Sequence, residues 1–164
     1  MFGGARSGKS AYAERLIGER GLYLATAEAG DEEMAERIRA HRDRRGAGWD
    51  TIEAPLDVAG ALERHASADR PVLVDCLTLW LSNLMAAGRD IEAETGTLIE
   101  RLSALPCPVV LVSNEVGLGL VPATPLGRAF RDHAGRLNQR VAAAADRVIF
   151  VAAGLPMTLK DKPP

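Results

Sequence analysis

The chain has 164 residues, of which 47% are hydrophobic and 26% charged, and its formal net charge is −2. That length suits one domain that buries a substantial core without metal or disulfide support, and that charge offers no basic field to draw in nucleic acid. No apolar run approaches the ~20 residues of a membrane span, and the N-terminus lacks a secretory signal, so the chain reads as a cytoplasmic protein.

In chain order, short apolar runs alternate with longer helical stretches. Ser10 to Glu19 reads as a helix with Ala13, Leu16 and Ile17 on one face. Gly21–Thr26 reads as a strand, and Asp31 as the N-cap of a helix running to about Arg44, with Glu32 and Glu33 in its first turn. Residues 57–66, 77–87 and 91–104 read as helices, with a strand at Pro71–Asp75 and another at Pro108–Ser113. A long helix from about Leu126 to Ala145 precedes a strand at Arg147–Ala152, and the Lys-Asp-Lys-Pro-Pro tail reads as loose. The strands are almost continuously hydrophobic, which indicates a parallel sheet covered on both faces and therefore an α/β layered fold. The two cysteines, Cys76 and Cys107, lie beside strands in no metal-ligand spacing and read as buried, reduced thiols.

The strongest chemical signal is Gly3-Gly4-Ala5-Arg6-Ser7-Gly8-Lys9-Ser10, a complete G-x-x-x-x-G-K-[ST] pattern. Its glycines let the backbone curl so that successive N–H groups form an anion nest, and the following helix adds its N-terminal dipole. Lys9 can reach the β- and γ-phosphates of ATP or GTP, and the Ser10 hydroxyl can ligate Mg²⁺. An acid is also needed to hold the shell of that ion, and Asp75, at the end of Pro-Val-Leu-Val, stands where it should. The alternative role for Asp75 is to cap the helix starting near Leu77. A P-loop follows a strand, yet only Met1 and Phe2 precede Gly3. Either the sequence begins too late or the protein tolerates a drastically shortened first strand; the first reading is favoured, and with it a form extended at the N-terminus is expected to be more stable.

Met34, Ile38, His41 and Arg45 recur at helical spacing, so an imidazole stands among the guanidiniums of Arg37, Arg42, Arg44 and Arg45. His41 is either a partly buried structural residue or a nucleophile that attacks a nucleotide α-phosphate. The residues leave both open. His65 and His133 read as surface or structural residues. The segment Asn114-Glu115-Val116-Gly117-Leu118-Gly119-Leu120-Val121-Pro122 follows a strand at the edge where α/β proteins bind ligands, and reads as a shaped loop or an ordinary turn.

Taken together, these segments resemble the bifunctional adenosylcobinamide kinase/adenosylcobinamide-phosphate guanylyltransferase family of cobalamin biosynthesis. The resemblance is carried by residues 3–10, Tyr-Leu-Ala-Thr-Ala at 23–27, Arg-Ile-Arg-Ala-His-Arg at 37–42 with Trp49, Asp-Cys-Leu-Thr at 75–78, Ser113–Pro122, and Phe130–Ala142. It implies a single-domain, RecA-like P-loop NTPase fold over residues 1–164, with a largely parallel sheet flanked by helices. It also implies that a nucleoside triphosphate phosphorylates the aminopropanol hydroxyl of adenosylcobinamide. GTP then guanylylates the product through a guanylylated histidine, which aligns with His41, giving adenosylcobinamide-GDP and pyrophosphate. Mg²⁺ and a homo-oligomer, trimeric in the family, follow from the same likeness. Two rival readings stand beside it: a small-molecule P-loop kinase with no covalent intermediate, and a RecA-like ATPase acting on DNA. The net charge and the lack of a basic, aromatic surface argue against the second.

Overall fold

The computed structural model of the protein describes residues 1–27 and 46–162. Within them the chain runs β1 (Phe2–Gly3), α1 (Lys9–Ile17), β2 (Gly21–Ala25), β3 (Trp49–Glu53), α2 (Val58–His65), β4 (Val72–Asp75), α3 (Leu77–Ala86), α4 (Ile91–Ser103), β5 (Val109–Asn114), α5 (Pro125–Ala144), β6 (Arg147–Ala152) and β7 (Leu155–Asp161). The expected helix at 31–44 lies outside the described residues.

The strands form one seven-stranded sheet in the order β3-β2-β4-β5-β1-β6-β7. All neighbours are parallel except β6 and β7, which are antiparallel. Side chains alternate across it with the period of two that a strand imposes. Leu22, Leu24, Val72 and Val74 join a core with Leu62, Leu77, Trp80, Leu81, Leu84 and Leu98 from the helices on one face. Tyr23, Ala25, Leu73 and Val112 point to the other face, where α1 supplies Ala13. Because both faces are covered, the central strands are apolar along most of their length, with polar residues at their carboxyl ends, as in Asp75 of β4 and Ser113 and Asn114 of β5. The expected α/β architecture is present.

Local chemistry sets where the helices begin. The Asp57 side chain accepts from the Gly60 N–H, Asp90 from the N–H groups of Glu92 and Ala93, and Thr124 from the Gly127 N–H ahead of Pro125 in the first turn. Each cap satisfies donors that a helix start leaves orphaned. Leu16, expected on the buried face of α1, is 45% exposed. Ala13 and Ile17, one turn apart, make the contact with the sheet, and Leu16 falls beside that line.

Two strands escaped the sequence reading. Both β3 and β7 are edge strands paired on one side only, so neither is buried enough to need a continuous apolar run. The tail is also not loose where it begins. Lys160 and Asp161 belong to β7, Lys160 Nζ donates to the Ala142 and Ala143 carbonyls at 2.9 Å each, and the Lys162 N–H donates to the Asp146 carbonyl at 2.9 Å. Those two carbonyls lie in the last turn of α5, where orphaned acceptors favour a cation.

Although β1 is two residues long, it occupies the interior of the sheet. Phe2 and Gly3 pair with Ser113 and Asn114 on one side and with Phe150 and Val151 on the other. The Met1 amine donates to the Leu111 carbonyl at 2.7 Å, and burial pushes its pKa down to about 6.

Candidate active site

The chain leaves β1 at the carboxyl edge of the sheet and turns through residues 4–8 into α1, as a P-loop does. Two of its glycines have no permissible substitute. A Cβ on Gly3 would lie 2.4 Å from the Val151 carbonyl oxygen and 2.6 Å from Ser7 Oγ. Gly8 has φ +93°, in the left-handed region, and a Cβ there would stand 3.3 Å from the Gly154 Cα. Gly4 is different: nothing lies within 4 Å of where its Cβ would be. The two glycines fixed by geometry are the two that the motif specifies.

The loop is shaped by its own bonds and by its neighbour. The Ser7 N–H donates to the Gly4 carbonyl at 3.3 Å, and the Gly154 N–H, from the turn between β6 and β7, donates to the Ser7 carbonyl at 2.9 Å. Lys9 is buried, and its Nζ donates to the Gly4 carbonyl at 3.0 Å, so the ammonium folds back over the loop. Gly8, preceding α1, offers no side chain to cap the helix, and the first turn holds no acid. The N–H groups that open α1 are thus left to an incoming anion. Arg6 and Ala5 are exposed at the crest of the loop, and Ser10 is partly buried in the first turn of α1.

Asp75 ends β4, beside Ala25 and Val112 on the flanking strands, and is partly buried. It does not cap the helix that follows: the residue preceding α3 is Cys76, and no side chain caps that helix. Cys76 also reports where the charges lie. Burial pushes its thiol pKa up, the Asp75 carboxylate pushes it further, and the Lys9 ammonium pulls weakly the other way. Lys9 and Asp75 therefore both lie within electrostatic reach of Cys76.

The backbone around Cys76 is braced by residues the motif search did not single out. Thr26 is fully buried; its hydroxyl accepts from the Cys76 N–H at 2.8 Å and donates to the Cys76 carbonyl at 2.7 Å, while its own carbonyl accepts from Asn83 Nδ2 at 2.8 Å. Across β5, Ser113 Oγ donates to Asn138 Oδ1 at 2.7 Å, Asn138 Nδ2 to the Asn114 carbonyl at 3.1 Å, and the Asn114 N–H to Thr78 Oγ1 at 2.7 Å. Thr78, Ser113 and Asn138 are buried. Fixed backbone beside the P-loop is the result. The signal available in sequence was polar residues at the ends of apolar strands and on the inner face of α5.

Among the described residues two buried oxygens have no hydrogen-bond partner, Ser7 Oγ and Asn114 Oδ1. Both flank Gly3, the first against its would-be Cβ and the second on its register partner. Orphaned polar atoms of this kind cluster where a ligand completes the bonding. Among the described residues no three His, Cys, Asp or Glu side chains gather as a metal cage. A hydroxyl and a carboxylate from Ser10 and Asp75 nonetheless suit Mg²⁺, which takes one or two hard protein oxygens and fills its shell with water and phosphate. His41 and its arginines lie outside the described residues. Of the other histidines, His65 closes α2 and His133 on α5 shares a 3.2 Å contact with Arg136, neither of them in the P-loop.

Residues 1–159 match the family described as cobinamide kinase / cobinamide phosphate guanyltransferase. The bifunctional adenosylcobalamin biosynthesis protein CobP of Pseudomonas aeruginosa is 52% identical over 168 residues, covering 99% of this chain and 97% of that protein. Proteins named CobU are 42% identical in Salmonella typhimurium and 41% in Escherichia coli, each over 177 residues and 98% of both chains. With a P-loop seated on a mostly parallel sheet and likeness along nearly its whole length, the chain belongs to the cobinamide kinase / cobinamide phosphate guanyltransferase family of transferases.

Proposed function

We propose that residues 3–10 bind the triphosphate for both reactions of a bifunctional cobalamin-biosynthesis enzyme, and that His41 carries the guanylyl group in the second. The observation that carries the reading is the uncapped start of α1 behind Gly8, with Lys9 folded over the loop, in a chain that matches the family along its length.

In the first reaction the loop N–H groups and Lys9 hold the β- and γ-phosphates of ATP or GTP and balance charge as the γ-phosphoryl group moves. The acceptor hydroxyl oxygen of adenosylcobinamide bonds to the γ-phosphorus, the bond to the β-phosphate oxygen breaks, and the nucleoside diphosphate leaves with the hydroxyl proton lost to solvent. Ser10 and Asp75 are the residues that would hold Mg²⁺, which when bound neutralises phosphate charge. Asn114 and Ser7 supply unsatisfied oxygens beside the loop and fit a role in accepting a hydrogen bond from the acceptor hydroxyl.

In the second reaction a ring nitrogen of His41 bonds to the α-phosphorus of GTP and pyrophosphate departs. A phosphate oxygen of adenosylcobinamide phosphate then displaces the imidazole, giving adenosylcobinamide-GDP and restoring His41. The arginines around His41 offset the charge on both phosphate groups. Family resemblance supports a homotrimer; the lack, among the described residues, of a helix long and apolar enough to cross a membrane fits a cytoplasmic setting.

The test is to incubate the protein with Mg²⁺ and GTP labelled at the α-phosphate, then to examine the denatured chain for acid-labile, base-stable label. Label on the wild type and none on His41→Ala, with phosphorylation of cobinamide retained in the variant, is the expected result. A folded, GTP-binding wild type that takes up no label would leave a kinase without the covalent step.

A further inference from the structure

We propose that the loop from Val116 to Leu126 is the seat for the corrin ring of the acceptor, holding it beside the phosphates bound at the P-loop. This deepens the kinase reading above and rests on it.

Leu118, Leu120, Val121 and Leu126 are 82%, 95%, 66% and 70% exposed. Apolar side chains massed in the open mark a surface that something covers. The loop does not expose them for want of structure. At its start the Glu115 N–H donates to the Gly3 carbonyl at 3.0 Å, the Gly117 N–H donates to Glu115 Oε1 at 2.6 Å, and Val116 packs against the core. At its end Arg128 Nη1 donates to the Pro122 and Ala123 carbonyls at 3.1 and 2.9 Å. The segment is pinned at both ends with its leucines turned outward.

Position and chemistry select the occupant. The loop begins two residues beyond Asn114, the register partner of Gly3, and the intervening Glu115 is hydrogen-bonded to the Gly3 carbonyl, so the segment leaves the sheet beside the P-loop. Residues 116–127 include no charged side chain, which suits neither a triphosphate nor a nucleic acid backbone. The family's kinase reaction needs a second substrate next to the nucleotide, and a corrinoid is a broad macrocycle with apolar faces. An uncharged loop that exposes apolar side chains and is held at both ends by hydrogen bonds suits such a ring.

The experiment compares wild type with the double variant Leu118→Asp/Leu120→Asp, both changes being at exposed positions. Cobinamide binding is followed directly by quenching of tryptophan fluorescence, ATP binding by calorimetry, and assembly by sedimentation velocity. The expected result is cobinamide affinity weakened by about tenfold or more, with ATP affinity, thermal midpoint and sedimentation unchanged. Equal cobinamide affinity in the two proteins overturns the proposal. So does a variant whose loss of affinity accompanies dissociation into smaller species, which would assign the loop to a second copy of the chain. A wild type that binds cobinamide without phosphorylating it would count against the kinase reading, while the affinity comparison would still decide the loop.

Discussion

Replacing the loop glycines one at a time by alanine tests whether the P-loop is shaped by sterics rather than by glycine content. In Gly3→Ala the new methyl would sit 2.4 Å from the Val151 carbonyl oxygen, a backbone atom held in the β1–β6 ladder. It cannot rotate away, so the strands must part, and overpacking of this kind costs about 1–3 kcal/mol. For a chain of this size each kcal/mol lowers Tm by roughly 2–4 °C. Gly8→Ala meets a different penalty, the left-handed backbone at φ +93°, at about 1–2 kcal/mol, with the Gly154 Cα crowding it at 3.3 Å. Gly4→Ala meets nothing within 4 Å and should stay within about 0.5 kcal/mol of wild type. Urea denaturation and thermal melts of the nucleotide-free proteins measure all three. A Gly4→Ala loss as large as that of Gly3→Ala would refute the steric account.

Other expectations are as direct. Thr26→Val keeps the shape of a fully buried side chain but strips two hydrogen bonds from Cys76; at about 1–3 kcal/mol for each buried group left unpaired, urea denaturation should show a loss of about 2 kcal/mol or more, and a change below about 0.5 would contradict the bracing role. Asn138→Leu removes the bridge between Ser113 and Asn114, so kcat for cobinamide phosphorylation should fall by about tenfold with ATP affinity nearly unchanged; an equal fall in ATP affinity would point to general damage instead. Cys107 should react with a thiol reagent well before Cys76, whose deeper burial and nearby Asp75 carboxylate hold it as the neutral thiol; equal rates in the native protein would mean that the β4–α3 corner opens readily.

The parts of the fold legible in the sequence were those with a single physical cause. The buried strands around Leu22, Val72, Val110 and Val148 were readable because they are covered on both faces. The helices at 57–66, 91–104 and from about Leu126 were readable as ranges, whereas their caps, Asp57, Asp90 and Thr124, were recognised only from the structure. Trp49–Glu53 and Leu155–Asp161 were illegible because an edge strand can alternate, or remain exposed, without losing its ladder. At the candidate site, Gly3, Gly8 and Lys9 stood out in the sequence as a fixed-spacing motif, and the folded loop requires glycine at the first two positions and buries the third. The bracing by Thr26, Thr78 and Asn138 was hidden. Each reaches a partner at least 24 positions away in sequence, and no local pattern records such a pairing.

The position of β1 has a consequence for how the protein folds. Phe2 and Gly3 precede their strand partners Ser113, Asn114, Phe150 and Val151 by more than 100 residues, and the loop they launch is tied to Gly154. Loop-closure entropy over such separations is met only when the distant strands exist. The loop ahead of α1 is therefore held in its folded shape only after those later strands exist, so its geometry depends on the β6–β7 turn far along the chain.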